Sequence, residues 1–266
     1  RQLILDYSRE DVCNYIIEKI SEVLSSAPIS YVKWDMNRNM SEIGSAKLPA
    51  NRQREVAHRY ILGLYKVLEE ITTRFPDVLF ESCSGGGGRF DPGMLYYMPQ
   101  TWTSDDTDAI ERLKIQYGTS MVYPNVAMGC HVSAVPNHQV ARITPFATRG
   151  ISAMCGNFGY ELDLTKLTDE EKAQTKAQVA FYKEVRELIQ FGDFYRIQSP
   201  FENNETAWSF VAKDKSEAVV SFFRTLAVPN DNLATICAVG LDADAIYEDM
   251  RTGKLYGGDE LMYVGI

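Results

Sequence analysis

Apolar residues along this chain recur with two alternating periods. Val12, Tyr15, Ile16, Ile20, Val23 and Leu24 return every three or four positions, the spacing of one helix face. Ser8 and Asp11 supply a capping box ahead of them. Val56, Tyr60, Ile61, Leu64, Val67, Leu68 and Ile71 repeat the pattern over residues 52–74, and Pro76 stops it. Further helices are predicted from about Asp108 and over residues 168–191. Short β-branched and aromatic runs fall between these segments. Strands are expected at Leu3 to Leu5, at Ile29 to Val32 leading into Asp35, and at Asp77 to Cys83. Three more run toward Trp102, over Val126 to Ser133, and over Ile151 to Cys155. Strand–helix alternation of this kind implies parallel strands joined by crossover helices.

Polar clusters follow the strand ends: Lys33 to Arg38, Cys83 to Arg89, Trp102 to Asp108, His131 to His138 and Asn157 to Asp163. An open doubly wound sheet gathers its ligand at one switch point. Sites after several successive strands predict a closed ring, the (β/α)8 TIM barrel, with strands three to eight present and the first two upstream of Arg1. Beyond Ile189 the runs shorten, at Ala207 to Val211, Ala218 to Arg224 and Ala234 to Val239, separated by turn formers at Pro229 to Asn232 and at Gly257-Gly258. That texture predicts an incomplete antiparallel β-sandwich. The expected division is 1–195 for the barrel and 196–266 for the β domain. The first and last residues read as strand already under way, so the chain is expected to be a piece of a longer protein whose isolated form is poorly stable.

Composition narrows the function. The chain has 266 residues, 45% hydrophobic and 24% charged, ordinary for a globular protein. A net charge of -9 opposes nucleic-acid binding. Cys13, Cys83, Cys130, Cys155 and Cys237 form no CxxC pair, which fits reduced thiols and a cytoplasmic, bacterial setting. His58, His131 and His138 lack metal-ligand spacing, so no metal and no cofactor are expected. No apolar run approaches the roughly 20 residues needed to span a bilayer.

Asp35 stands at a strand end between Lys33-Trp34 and Met36-Asn37-Arg38. Asp105 stands at another, ahead of Asp106 and Asp108. Helix capping is the ordinary reading of Asp106 and Asp108, and suits Asp105 least. Two carboxylates at strand ends are what glycoside hydrolysis needs, one ionised to attack and one protonated to donate. Lys33 shares the Asp35 strand face and is expected to help keep it charged.

Three motifs, Lys33 to Arg38, Cys83-Ser84-Gly85-Gly86-Gly87 with Arg89-Phe90-Asp91, and Trp102 to Ala109, resemble the signatures of glycoside hydrolase family thirty-six, the retaining α-galactosidases. The resemblance extends through His131 to His138 and Gly159 to Leu164. It implies Asp35 as nucleophile and Asp105 as acid/base, on the fourth and sixth barrel strands. It further implies Lys33, Trp34, Asn37, Cys83, Gly86 and Trp102 as sugar-binding residues, and places Arg1 close to the family's arginine. The implied substrates are α-galactoside oligosaccharides such as melibiose and raffinose, with a homo-oligomeric full-length protein. Galactosyl transfer, N-acetylgalactosamine hydrolysis and an inactive sugar-binding fragment remain open alternatives.

Overall fold

A computed structural model of the chain describes residues 3–41, 43–230 and 234–266. Its contacts group into two compact units, Arg1–Trp102 and Thr103–Ile266.

The first unit is a parallel ladder with helices against one face. Strands β1 (Tyr31–Asp35), β2 (Leu79–Cys83) and β3 (Gln100–Trp102) pair in that order, with Lys33 opposite Glu81, Asp35 opposite Cys83, and Glu81 opposite Gln100. Side chains alternate across a strand. Val32, Trp34 and Phe80 therefore point one way, into a core shared with helices α1 (Glu10–Ser25), α2 (Val56–Arg74) and α3 (Pro92–Tyr97). Tyr31, Lys33, Asp35, Glu81, Cys83, Gln100 and Trp102 take the opposite face. The α2 stripe buries Val56, Tyr60, Leu64, Val67, Leu68 and Ile71, each contributing about 1.5–3 kcal/mol for a full side chain. At Gly63 the helix touches the Tyr7 backbone so closely that a Cβ would sit 1.8 Å from the Tyr7 carbonyl oxygen.

Three expectations for this unit are corrected. Leu3 to Leu5 is irregular chain without a ladder partner among the described residues, and Leu3 and Leu5 face solvent. No capping box forms at Ser8, because the Ser8 hydroxyl and amide both donate to Asp6, leaving Arg9 at the cap of α1. The α1 stripe is rotated toward Cys13, Ile17 and Leu24, and exposes Tyr15 and Val23.

In the second unit, β4 (Met128–Ser133) and β5 (Asn157–Glu161) are parallel, with His131 opposite Gly159. Helices α4 (Ala109–Thr119), α5 (Phe146–Ala153) and α6 (Asp169–Phe191) accompany them. The expected strand over Ile151 to Cys155 is instead the end of α5 and the turn after it. Small residues explain the difference: Gly150, Ser152 and Ala153 are buried, and a Cβ on Gly150 would meet the Gln178 amide at 2.3 Å. The actual strand starts at Asn157, inside what reads in sequence as a polar cluster. It is carried by Phe158 and Tyr160, whose rings pack on the core.

Strands β6 (Asp193–Gln198), β7 (Glu205–Val211) and β8 (Ala218–Arg224) form an antiparallel sheet, and β9 (Ile246–Asp249) and β10 (Lys254–Gly257) a hairpin. Two expectations here are corrected as well. Among the described residues Ala234 to Val239 joins no sheet; Ile236 exchanges two backbone hydrogen bonds with Ile266, and the Ala238 amide donates to the Leu261 carbonyl. The last residues, expected to read as strand, instead follow from a short helix, α7 (Gly258–Tyr263). The predicted turn at Pro229 to Asn232 lies partly outside the described residues.

Candidate active site

Asp35 ends β1 on the face opposite the helices. The Asn37 amide donates to its Oδ2 at 2.7 Å, and the Cys83 thiol, its register neighbour, also hydrogen-bonds it. Partial burial pushes the carboxyl up. The Cys83 and Asn37 donors, a Met36 backbone bond and the Lys33 charge outweigh that and hold it below the usual carboxylate range. The same contact raises Cys83: burial and the Asp35 carboxylate push the thiol up to about 11. It is a protonated donor at neutral pH.

The backbone around Asp35 is tied from both sides. Met36 donates its amide to the Cys83 carbonyl at 3.1 Å, and Ser84 Oγ donates to the Met36 carbonyl at 3.1 Å. Arg89 Nη2 donates to the Trp34 carbonyl at 2.7 Å, and burial lowers the Arg89 pKa. The glycine run makes this turn possible. Gly85 and Gly86 have φ of 53° and 82°, in the left-handed region, and Ser84 donates to the Gly86 carbonyl at 2.7 Å.

Lys33 lies two residues below Asp35 on the same face. Its Nζ is 4.7 Å from the Trp102 ring centroid and 3.6 Å from Glu81 Oε1. Glu81 is fully buried, and its Oε2 accepts hydrogen bonds from the Tyr31 hydroxyl and the Gln100 amide. Lys33 lowers the Asp35 pKa less than the Cys83, Asn37 and Met36 bonds do; its direct partner is Glu81.

In the second unit Asp105 is exposed at the start of a tight turn. Gln139 spans that turn: its Nε2 donates to the Asp105 carbonyl, and its Oε1 accepts from Thr107 Oγ1 at 3.2 Å. Asn137 donates to Thr107 Oγ1 at 3.0 Å, and Ser133 Oγ to the Thr107 carbonyl at 2.7 Å. Asp108 is the helix cap, accepting from the Ile110 and Glu111 amides at 3.1 Å each and pairing with Arg142. Asp106, expected to cap the helix, instead accepts the Asp108 amide at 3.0 Å and shapes the turn. The buried Arg112 binds Thr103 Oγ1 at 2.9 Å and the Gly129 carbonyl at 3.1 Å, fixing the segment before Asp105.

A carboxylate held ionised by a thiol, an amide and a lysine is suited to nucleophilic attack, and a family comparison decides whose chemistry this is. The Melibiase family model matches residues 1–192, and the model of the glycosyl hydrolase family 36 C-terminal domain matches residues 205–266. The chain belongs to glycoside hydrolase family 36.

Among relatives, the α-galactosidase AgaA of Geobacillus stearothermophilus is 69% identical over all of this chain, and Mel36A of Lactobacillus acidophilus is 51% identical over 99% of it. The crystal structure of AgaA superposes with a TM-score of 0.97 over the whole chain and 37% of that structure. This chain thus spans about a third of the length of the family 36 relatives it matches: 36% of AgaA and 36% of Mel36A. AgaA has also been solved, as variants, with raffinose and with stachyose.

Of the expected family 36 site residues, Lys33, Asp35, Cys83 and Trp102 share one face of the first unit, with Asn37 and Gly86 at the strand ends bordering it. Trp34 does not. Strand alternation turns its side chain into the helix core, and what it contributes to the Asp35 turn is its carbonyl. Arg1 lies outside the described residues. His131 faces Glu161 at 3.4 Å and Gly159, where a Cβ would meet its ring at 2.8 Å.

Sequence reading passed over Glu81, Gln139 and Arg112. Glu81 carried a signal, a carboxylate alternating with Cys83 in an otherwise apolar strand. Gln139 carried none, because its role depends on how residues 133–142 fold back. Among the described residues no cluster of metal-ligating side chains occurs, and no helix is long and apolar enough to cross a membrane.

Proposed function

We propose that the full-length protein is a retaining α-galactosidase that hydrolyses terminal α-1,6-linked D-galactose from oligosaccharides such as melibiose and raffinose. The observation that carries the reading is Asp35 itself: a strand-end carboxylate kept ionised by the Cys83 and Asn37 donors. The AgaA structures with stachyose and raffinose add support. Each is a variant substituted at one aspartate, and the two positions are spaced as Asp35 and Asp105 are.

In the proposed reaction Asp35 attacks the anomeric carbon as the bond to the leaving oxygen breaks. Asp105 gives that oxygen its proton, and a covalent galactosyl-enzyme results. Asp105, now ionised, takes a proton from water as the water attacks the same carbon and releases Asp35. Lys33, Asn37, Cys83, Gly86 and Trp102 bind the sugar. Of these Cys83 has two tasks, donating to Asp35 and walling the pocket.

The reading includes a fold for the full-length protein. Strands β1 to β5 belong to a (β/α)8 barrel ending near residue 195, with β1 and β3 as its fourth and sixth strands. Residues 196–266 begin a β-sandwich. Support comes from the parallel registers before Phe191, the antiparallel ones after Asp193, and family models that break at the same place. The five free cysteines support a reducing, cytoplasmic setting. A homo-oligomer is part of the same reading, and size-exclusion chromatography of the full-length protein tests it.

The deciding experiment is Asp35→Ala in the full-length protein, assayed on an aryl α-galactoside. The expected result is a kcat lowered by more than about a thousandfold. Activity near that of the unmodified protein overturns the assignment.

A further inference from the structure

We infer that Glu81 is a positioning residue for the Lys33 ammonium, holding it in place on the Asp35 face before a sugar arrives. The inference rests on the reading of Lys33 as a galactose-binding group.

Glu81 is 0% exposed and lies directly opposite Lys33 in the β1–β2 register. Removing a carboxylate from water is costly, and an apolar residue of similar volume at such a place is often neutral or stabilising. Packing therefore gives no reason for an acid here. The arrangement of its two oxygens does. Oε2 is anchored by the Tyr31 hydroxyl and the Gln100 amide, which fix the carboxylate plane. Oε1 accepts no hydrogen bond among the described residues and faces Lys33 Nζ at 3.6 Å. The Glu81 end of this pair is out of water and the Lys33 side chain is 31% exposed, so solvent screens the attraction from one side only.

Lys33 is bounded on a second side by the Trp102 ring, 4.7 Å from Nζ to centroid. A lysine stem is flexible and ordinarily samples many rotamers. A carboxylate and an aromatic face together remove much of that freedom in advance. An ammonium has three N–H groups, so one directed at Glu81 leaves two for sugar hydroxyls. Tyr31 and Gln100 thereby enter the site indirectly, as the residues that aim Glu81.

A residue that acts through Lys33 loses its effect when Lys33 is gone, whereas a residue that only supports the fold does not. The test is a double-mutant cycle in the full-length protein, with steady-state kinetics on an aryl α-galactoside. Glu81→Gln alone should raise KM about tenfold with kcat changed less than about twofold, the pattern of lost ground-state binding. In a Lys33→Met background, where KM is already raised, the same change should add less than about twofold. An unchanged KM in Glu81→Gln, or a tenfold rise in both backgrounds, overturns the inference and leaves the function standing. An unchanged KM in Lys33→Met overturns the sugar-binding reading of Lys33 and this inference with it. Should Glu81→Gln fail to fold, Tyr31→Phe replaces it. That variant should raise KM about threefold with Lys33 present and not in the Lys33→Met background; equal effects in both overturn the inference.

Discussion

At the scale of single residues the site is governed by which groups donate to Asp35. Burial alone would raise its pKa; the Cys83 thiol and Asn37 amide reverse the sign. A carboxyl with a depressed pKa stays ionised until the pH falls below the ordinary carboxylate range. The acid limb of kcat/KM should therefore lie low in the full-length protein, and removing a donor should move it to higher pH. Cys83→Ala and Asn37→Ala are each expected to do this, and a pH–rate series on the aryl α-galactoside measures it. A limb that stays put in both variants would mean that another group sets it. Cys83, raised to about 11 by burial and by Asp35, should also resist alkylation by iodoacetamide at neutral pH, as peptide mass mapping would show. Much of this was legible from the chain alone. Lys33, Asp35 and Cys83 stand at strand ends that periodicity locates. Trp34 was misread because a strand end presents alternate residues to opposite faces, and a motif read as a block ignores that. Glu81 and Gln139 went unread because their work is done on other residues.

At the scale of elements, helix and strand assignments held where the period was long, as in α2 and α6. They failed where the element was short. Segment α5 is only eight residues long and buries Gly150, Ser152 and Ala153 while Ile151 faces solvent, and β5 opens with Asn157 and contains Gly159. Leu3 to Leu5 has strand composition without a ladder, and a strand is defined by its neighbour's hydrogen bonds. The α1–α2 packing gives a prediction in which two effects oppose. In an open helix Gly→Ala stabilises by about 1 kcal/mol. At Gly63, however, the new Cβ would stand 1.8 Å from the Tyr7 carbonyl oxygen and 3.1 Å from Cys13 Sγ. The clash is with backbone, which cannot rotate away, so overpacking of about 1–3 kcal/mol wins. Gly63→Ala should lower the Tm of the full-length protein. In the second unit, Asp108→Ala removes the α4 cap and a carboxylate that pairs with Arg142. A loss on the order of 2 kcal/mol is expected by denaturant titration.

At the scale of the whole molecule, each unit has apolar cores of its own, one around α1 and α2 and others around β4, α6 and β7. Parallel and antiparallel halves could be told apart in the sequence because connection length separates them: crossover helices in one, tight turns in the other. Strand β1 pairs only with β2 among the described residues. Thermal unfolding of the isolated 266 residues is accordingly expected to be broad and to begin below that of the longer protein; a sharp, coincident transition would contradict this. The alternation along β1 also dictates where the polypeptide can be opened for engineering. Residues 26–28, between α1 and β1, face solvent, so a purification tag or reporter domain inserted there leaves the ladder in frame. A single residue added inside β1 would shift its register by half a pleat, sending Asp35 into the helix core and turning the Trp34 indole onto the face that Asp35 leaves.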